Sequence, residues 1–199
     1  MAVILQKGQK VDLTKGNAGL NEIMVGLGWD PVRRSGGLFG GLFGGTPQID
    51  CDASVIMLDA NGKFTNKNNL IYYGNLRHPS RSVEHMGDNL TGEGEGDDEQ
   101  IHIYLNRIPP EIHRLVFVVN IYDCVNRRQD FGMIKNAFIR IVNSATRKEM
   151  LRFNLTEDYS GYTALIVGEV YRYNGEWKFS AIGQGTRDGS LSEIIRRYQ

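Results

Sequence analysis

Apolar and polar residues alternate with a period of two over much of this chain, which is the spacing of half-buried strands. Ile23, Val25, Leu27 and Trp29 fall on one face of a strand, and Ile101, Ile103 and Leu105 alternate with His102 and Tyr104. Val55-Ile56-Met57-Leu58 is a short continuous apolar run, while residues 115–122 are β-branched and aromatic, as in a central strand. Residues 138–142 and 163–173 read the same way. Asn61-Gly62 and Asn174-Gly175 supply the positive φ angles of tight hairpins. The second of these joins Val170-Tyr171-Arg172-Tyr173 to Trp177-Lys178-Phe179. Helical patterning is sparse. Residues 131–137 suit a turn or short helix, and residues 190–198 suit a helix capped by Ser190 or Ser192, with Arg196 and Arg197 at the negative end of its dipole. The pattern predicts an all-β fold, a two-sheet β-sandwich with a short C-terminal helix, in a single domain over residues 1–199.

One stretch breaks the alternation. Ser35-Gly36-Gly37-Leu38-Phe39-Gly40-Gly41-Leu42-Phe43-Gly44-Gly45 repeats Leu-Phe-Gly-Gly twice, and so many glycines make an ordered strand costly in entropy. This Gly-rich loop, spanning about 35–48, reads either as a flexible surface connection or as an apolar docking loop that presents Leu38, Phe39, Leu42 and Phe43.

Composition narrows the function. The 199 residues carry 23 basic and 23 acidic side chains, so no basic excess favours nonspecific nucleic-acid binding. No apolar run approaches the length that spans a bilayer, so direct membrane insertion is not expected. Met1-Ala2-Val3-Ile4-Leu5, soon followed by Lys7 and Lys10, lacks the plan of a signal peptide and predicts a cytoplasmic protein. Cys51 and Cys124 have no C-x-x-C partner and read as apolar strand thiols.

Charge is unevenly placed. Residues 82–106 contain no Lys or Arg, yet they hold Glu84, Asp88, Glu93, Glu95, Asp97, Asp98 and Glu99. Within residues 87–99, six of thirteen are carboxylates and four are glycines. Crowded carboxylates repel one another unless a positive charge sits among them. Calcium suits this composition, because it accepts several carboxylate and carbonyl oxygens in flexible geometry. The glycines would let the chain curl around the ion, and Asn89 and Thr91 would add neutral oxygens. Asp50 and Asp52 are two residues apart, on one face of a strand, and can complete the shell; Asp59 is a weaker candidate that also fits an ordinary turn. A solvated acidic loop with no metal, and a magnesium or manganese site, stay open beside calcium. The spacing departs from the EF-hand pattern, since Leu90 occupies a ligand position.

Enzyme signatures are absent. The chain has no P-loop, no dinucleotide-binding glycine pattern opening a helix and no G-x-S-x-G elbow. His78, His85, His102 and His113 show no paired metal spacing and read as surface or strand histidines. A metal-dependent enzyme acting on a phosphorylated or oxyanion substrate is the alternative reading of the acidic segment.

Residues 87–99 closely resemble the signature of the TerD tellurium-resistance family. Val25-Gly26-Leu27-Gly28-Trp29-Asp30 is similar to the family's early strand, and Asp50-Cys51-Asp52-Ala53-Ser54 to its Asp-x-Asp-Ala-Ser motif. Phe117-Val118-Val119 and Phe138-Ile139-Arg140 resemble two core strands. Gly168-Glu169-Val170-Tyr171-Arg172, Asn174-Gly175-Glu176-Trp177-Lys178-Phe179 and Gly183-Gln184-Gly185 resemble its C-terminal hairpin. The resemblance implies one TerD-like β-sandwich binding Ca2+, commonly two ions, through acidic loops at one end. It implies a cytoplasmic bacterial stress-response protein, linked to tellurite resistance, phage inhibition and colicin tolerance; with no enzyme signature, the chain reads as a non-catalytic interaction module. Its implied partners are other Ter proteins, some membrane-embedded, which could also bring it to a membrane. Carried over by position, the metal candidates are Asp50, Asp52, Asp88, Asn89, Glu93, Glu95, Asp97, Asp98 and Glu99. The Leu-Phe-Gly-Gly insertion departs from the family pattern.

Overall fold

The computed structural model of the chain describes residues 2–17, 19–32, 49–87 and 96–199. The Gly-rich insertion and four of the metal candidates, Asp88, Asn89, Glu93 and Glu95, lie outside the described residues. In chain order the strands are β1 (Val3–Leu5), β2 (Lys10–Asp12), β3 (Glu22–Pro31), β4 (Cys51–Leu58), β5 (Leu70–Ile71) and β6 (Val83–His85). They continue as β7 (Glu99–Tyr104), β8 (Arg114–Ile121), β9 (Ile134–Asn143), β10 (Lys148–Asn154), β11 (Ala164–Tyr173) and β12 (Glu176–Thr186). Among the described residues the α-helices are α1 (Cys124–Arg127) and α2 (Leu191–Arg196).

Among the described residues these strands form two six-stranded sheets, ordered β1-β10-β9-β3-β7-β6 and β2-β12-β11-β8-β4-β5. All pairings are antiparallel except β1 with β10. The alternation explains the packing. Ile23, Val25, Leu27 and Trp29 of β3 point inward with Ile101 and Ile103 of β7 and Ile139 and Ile141 of β9. Cys51, Ala53, Val55 and Met57 of β4 meet them from the second sheet, together with Leu115, Phe117 and Val119 of β8. Burial of such side chains, at about 1.5–3 kcal/mol each, is the main source of stability.

The outer face of the second sheet is apolar as well. Ile56, Leu58, Val116, Val118, Ala164 and Ile166 lie beneath Ile194 of α2, flanked by Phe64, Leu70, Ile195 and Tyr198. Covered on both faces, β4 and β8 therefore read as continuous apolar runs. Ser190 is the residue that caps α2, its Oγ accepting from the N–H of Glu193 at 3.4 Å.

Asn174-Gly175 closes the expected hairpin, with φ of +51° and +80°, and pairs Tyr173 with Glu176. Asn61-Gly62 forms its turn too, but no tight hairpin follows. Asp59 Oδ1 accepts from the N–H groups of Asn61 and Lys63, both at 2.8 Å. The chain then sends the N–H of Phe64 to the carbonyl of Tyr198, and β5 pairs only with Val55 and Ile56. Packing against α2 outweighs the local turn preference. Residues 131–137 hold only a 3-10 turn at Phe131–Met133, since Ile134 already pairs with Pro31.

Candidate metal centre

The described acidic residues converge at the end of the sandwich where β4 begins, close to β7 of the opposite sheet. Because β5 pairs β4 only at Val55 and Ile56, side chains take over the outer edge at Ala53. The N–H of Ala53 donates to Glu99 Oε2 at 2.8 Å, and its carbonyl accepts from His85 Nε2 at 3.2 Å. His85 Nε2 also reaches Glu99 Oε2 at 3.1 Å, while its Nδ1 accepts from the N–H of Gly87 at 3.2 Å. Acceptance at Nδ1 places the ring proton on Nε2. Both ring nitrogens are thus committed to the fold. Glu99 and His85 are almost wholly buried, so this bridge is a polar seam between the two sheets.

Asp98 is held by β3. Its N–H donates to the carbonyl of Leu27 at 2.8 Å, and its Oδ2 accepts from the N–H of Trp29 at 2.7 Å. Burial pushes the Asp98 carboxyl above the usual aspartate range; the Trp29 hydrogen bond opposes this, and the charges of Asp30 and Asp97 add to it. Asp52 is 4% exposed and lies directly opposite Asn120 of β8. Asp50 precedes β4, and its Oδ2 lies 3.8 Å from Arg127 Nη1, whose guanidinium stands over the Tyr122 ring.

Cys51 sits at the middle of this group with no exposed surface. Burial pushes its thiol well above the ordinary cysteine range, and Asp52, Glu99, Asp50 and Asp98 push it further, in that order. One thiol therefore feels four of the sequence-derived metal candidates at once.

Asp97 behaves differently. It lies over the outer face of the first sheet, where Gly26 stands between Gln100 and Arg140 of the neighbouring strands. A Cβ on Gly26 would come within 2.3 Å of the Asp97 carboxyl, so only glycine leaves it room. Arg140 grips both carboxylate oxygens, Nε to Oδ1 at 2.7 Å and Nη2 to Oδ2 at 2.9 Å. Arg140 also reaches Glu149 at 3.1 Å, and Glu149 reaches Arg152 at 3.2 Å, whose guanidinium covers the Phe138 ring.

Among the described residues, no three His, Cys, Asp or Glu side chains form a group that could by itself hold a metal ion. Sequence reasoning missed His85, treated there as an ordinary strand histidine, and Arg140. Nothing local marks either residue, because their partners lie 14 and 43 residues away. Among the described residues no helix is long and apolar enough to cross a membrane.

Comparison with known proteins agrees with this architecture. The TerD domain model matches residues 1–198. The chain is 61% identical over 199 residues to Stress response protein SCP2 of Bacillus subtilis (strain 168), with both chains covered completely. It is 49% identical to General stress protein 16U of the same organism, covering 100% of this chain and 97% of that protein. It is 44% identical to Tellurium resistance protein TerD of Serratia marcescens, again covering 100% and 97%. The crystal structure of a homologue of telluride resistance protein (TerD) from Streptomyces coelicolor A3(2) superposes with a TM-score of 0.67 at 22% identity, covering 89% of this chain and 96% of that one, a likeness of fold. The signature residues, the two-sheet architecture and the full-length match together make this chain a member of the TerD family.

Proposed function

We propose that this chain is a calcium-binding, non-catalytic module of the stress-response and tellurium-resistance type, in which the ion orders the acidic end and so creates a surface that docks partner proteins. The observation that carries this reading is the charge pattern: residues 82–106 hold seven carboxylates without a single Lys or Arg, and Asp50 and Asp52, like Asp98 and Glu99, act electrostatically on Cys51. A hard divalent ion suits a segment so rich in carboxylates and glycines, since it accepts many oxygens in flexible geometry. Asp50, Asp52, Asp98 and Glu99 are the described ligand candidates, and Asp88, Asn89, Glu93 and Glu95 are the others, with two ions expected. The ion supplies charge neutralisation and cross-links the loop to β4.

A non-catalytic role fits the chemistry around the site. His85, the histidine beside the carboxylates, spends both ring nitrogens on Gly87, Ala53 and Glu99 and has none left to act as a base. Relatives named for stress response and tellurium resistance support the same assignment. The partners proposed are other Ter proteins of the same cytoplasmic system, including a membrane-embedded one. Calorimetric titration of the purified chain with calcium tests the reading. Saturable heat at one or two sites is expected, and an absence of heat, with loop resonances unmoved by calcium in NMR spectra, would remove it.

A further inference from the structure

We propose that His78 is a proton-operated catch on the edge of the sandwich: while neutral it clamps residues 76–82 onto β6 and ties them to the second sheet, and on taking up a proton it lets them go, baring the outer edge of β6.

The chain crosses from one sheet to the other here, leaving β5 of the second sheet and entering β6 at the edge of the first. The crossing folds back along β6. The N–H of His78 donates to the carbonyl of Val83 at 3.0 Å, and the N–H of His85 to that of Leu76 at 2.8 Å. Residues 76–78 therefore take the place of a further strand and cover an edge that would otherwise offer its peptide groups to another chain. The turn between them is strained. Arg81, a residue with a Cβ, is held at φ of +54°, its N–H donating to the carbonyl of His78 at 2.8 Å. Such a conformation persists only while its surroundings impose it.

The His78 ring is the central tie of that turn. Its residue is 7% exposed. Nδ1 accepts from the N–H of Ser80 at 3.2 Å and lies 2.7 Å from Ser80 Oγ, which lies 2.8 Å from the Oγ of fully buried Ser82. A backbone N–H can only donate, so Nδ1 carries no proton, and Nε2–H donates to Asn69 Oδ1 at 3.2 Å. Asn69 is buried at the end of the 3-10 turn Lys67–Asn69 that leads into β5. One neutral ring thus joins the two sheets.

A proton on Nδ1 would set N–H against N–H. Even with the Ser80 hydroxyl turned to accept the new hydrogen, the Ser80 amide loses its acceptor and a cation lies buried among neutral partners. Burial holds the ring below the ordinary histidine range, and the charge of Glu111, in the turn before β8, opposes this more weakly. Arg77 and Glu84, on the crossing and on β6, stand 3.9 Å apart and offset one another, while Lys67 and Arg81 add positive charge on the adjoining turns. A ring favoured as neutral in the fold contributes stability that is fully present above the unfolded histidine value of about 6.5 and is lost as pH falls below it.

Amide hydrogen exchange followed by NMR on the full chain at about pH 7.5 and about pH 5, corrected for the intrinsic pH dependence of exchange, tests this. Protection of the His78, Ser80 and Arg81 amides should fall about tenfold or more at the lower pH, while that of Phe117 and Val167 in the core holds. His78→Asn keeps an acceptor for the Ser80 N–H, as asparagine does in turns, and cannot take up the proton. Its protection should be the same at both pH values, although the other three histidines remain. Nitrogen-15 ring shifts of the wild type, which need no variant to fold, should show Nδ1 unprotonated near neutrality and the ring titrating below about pH 6.5. Wild-type protection that ignores pH, the same fall in His78→Asn, or a ring protonated at Nδ1 near neutrality would overturn the proposal.

Discussion

Asp97 and Asp98 are adjacent in sequence, yet the fold treats their charges in opposite ways. Asp97 has no exposed side-chain surface and is gripped at both oxygens by Arg140, at the head of a ladder that runs on through Glu149 to Arg152. Asp98 turns to the other side, accepts a backbone N–H from Trp29, and shares its surroundings with the other carboxylates near Cys51. A bidentate arginine is a fixed, permanent counter-charge. Peptide dipoles at the second location offset only part of the burial, and the Asp98 carboxyl is left above its usual range. The difference teaches that this fold can place an arginine against a buried aspartate where the carboxylate is structural. At Asp98 a backbone N–H, that of Trp29, meets the carboxylate instead.

The largest effect should come from removing the fixed cation. Arg140→Met strands a buried carboxylate, and urea unfolding should show a loss of about 3 kcal/mol, the lower end of the range for broken buried pairs because Arg140 itself is partly exposed. Pairing it with Asp97→Asn should recover most of that loss; if the double variant is no better, the bidentate pair is not the source. Next in size is the exchangeable cation. Calcium at a hundredfold excess over its dissociation constant should add about 2.7 kcal/mol to the wild type, seen as a melting temperature several degrees above that in chelator. Coincident melting curves would erase the contrast between the two aspartates.

Gly26→Ala follows, at about 1–3 kcal/mol, because the new methyl must displace a carboxylate that Arg140 holds at two points. Unchanged stability there would mean that the Asp97–Arg140 pair slides freely over the sheet. The smallest effect should be that of Asp98→Asn. Burial raises the Asp98 pKa in the folded state, so its contribution to metal-free stability is fully present below the unfolded aspartate value of about 4 and is lost as pH rises through the folded value. The amide should flatten that part of the pH–melting profile and shrink the calcium increment. An unaltered profile would place Asp98 outside the electrostatics of the site.

Local patterns carried much of the architecture. The period-two face of β3 and the Asn174-Gly175 hairpin needed only neighbouring residues to be legible, and both stand as expected. The Asn61-Gly62 turn formed without its hairpin, because the following residues pack against a helix more than 120 positions later, which no local window contains. Strand β10 was not anticipated, since Lys148, Glu149 and Arg152 disguise an alternation that serves a charged outer face. At the candidate site, the excess of carboxylates over residues 82–106 was visible in the sequence. The diversion of Asp97 to Arg140 was not, nor was the polar seam through His85, because each depends on which strands become neighbours.

That seam has a bearing on solubility. An uncovered strand edge offers unpaired N–H and C=O groups to any passing extended chain, a common route to aggregation. At Ala53 both groups are already engaged, one by Glu99 and the other by His85, so a foreign strand finds no template there. The same two side chains therefore keep this stretch of β4 closed to edge-to-edge pairing, and their loss should be seen as a rise in light scattering.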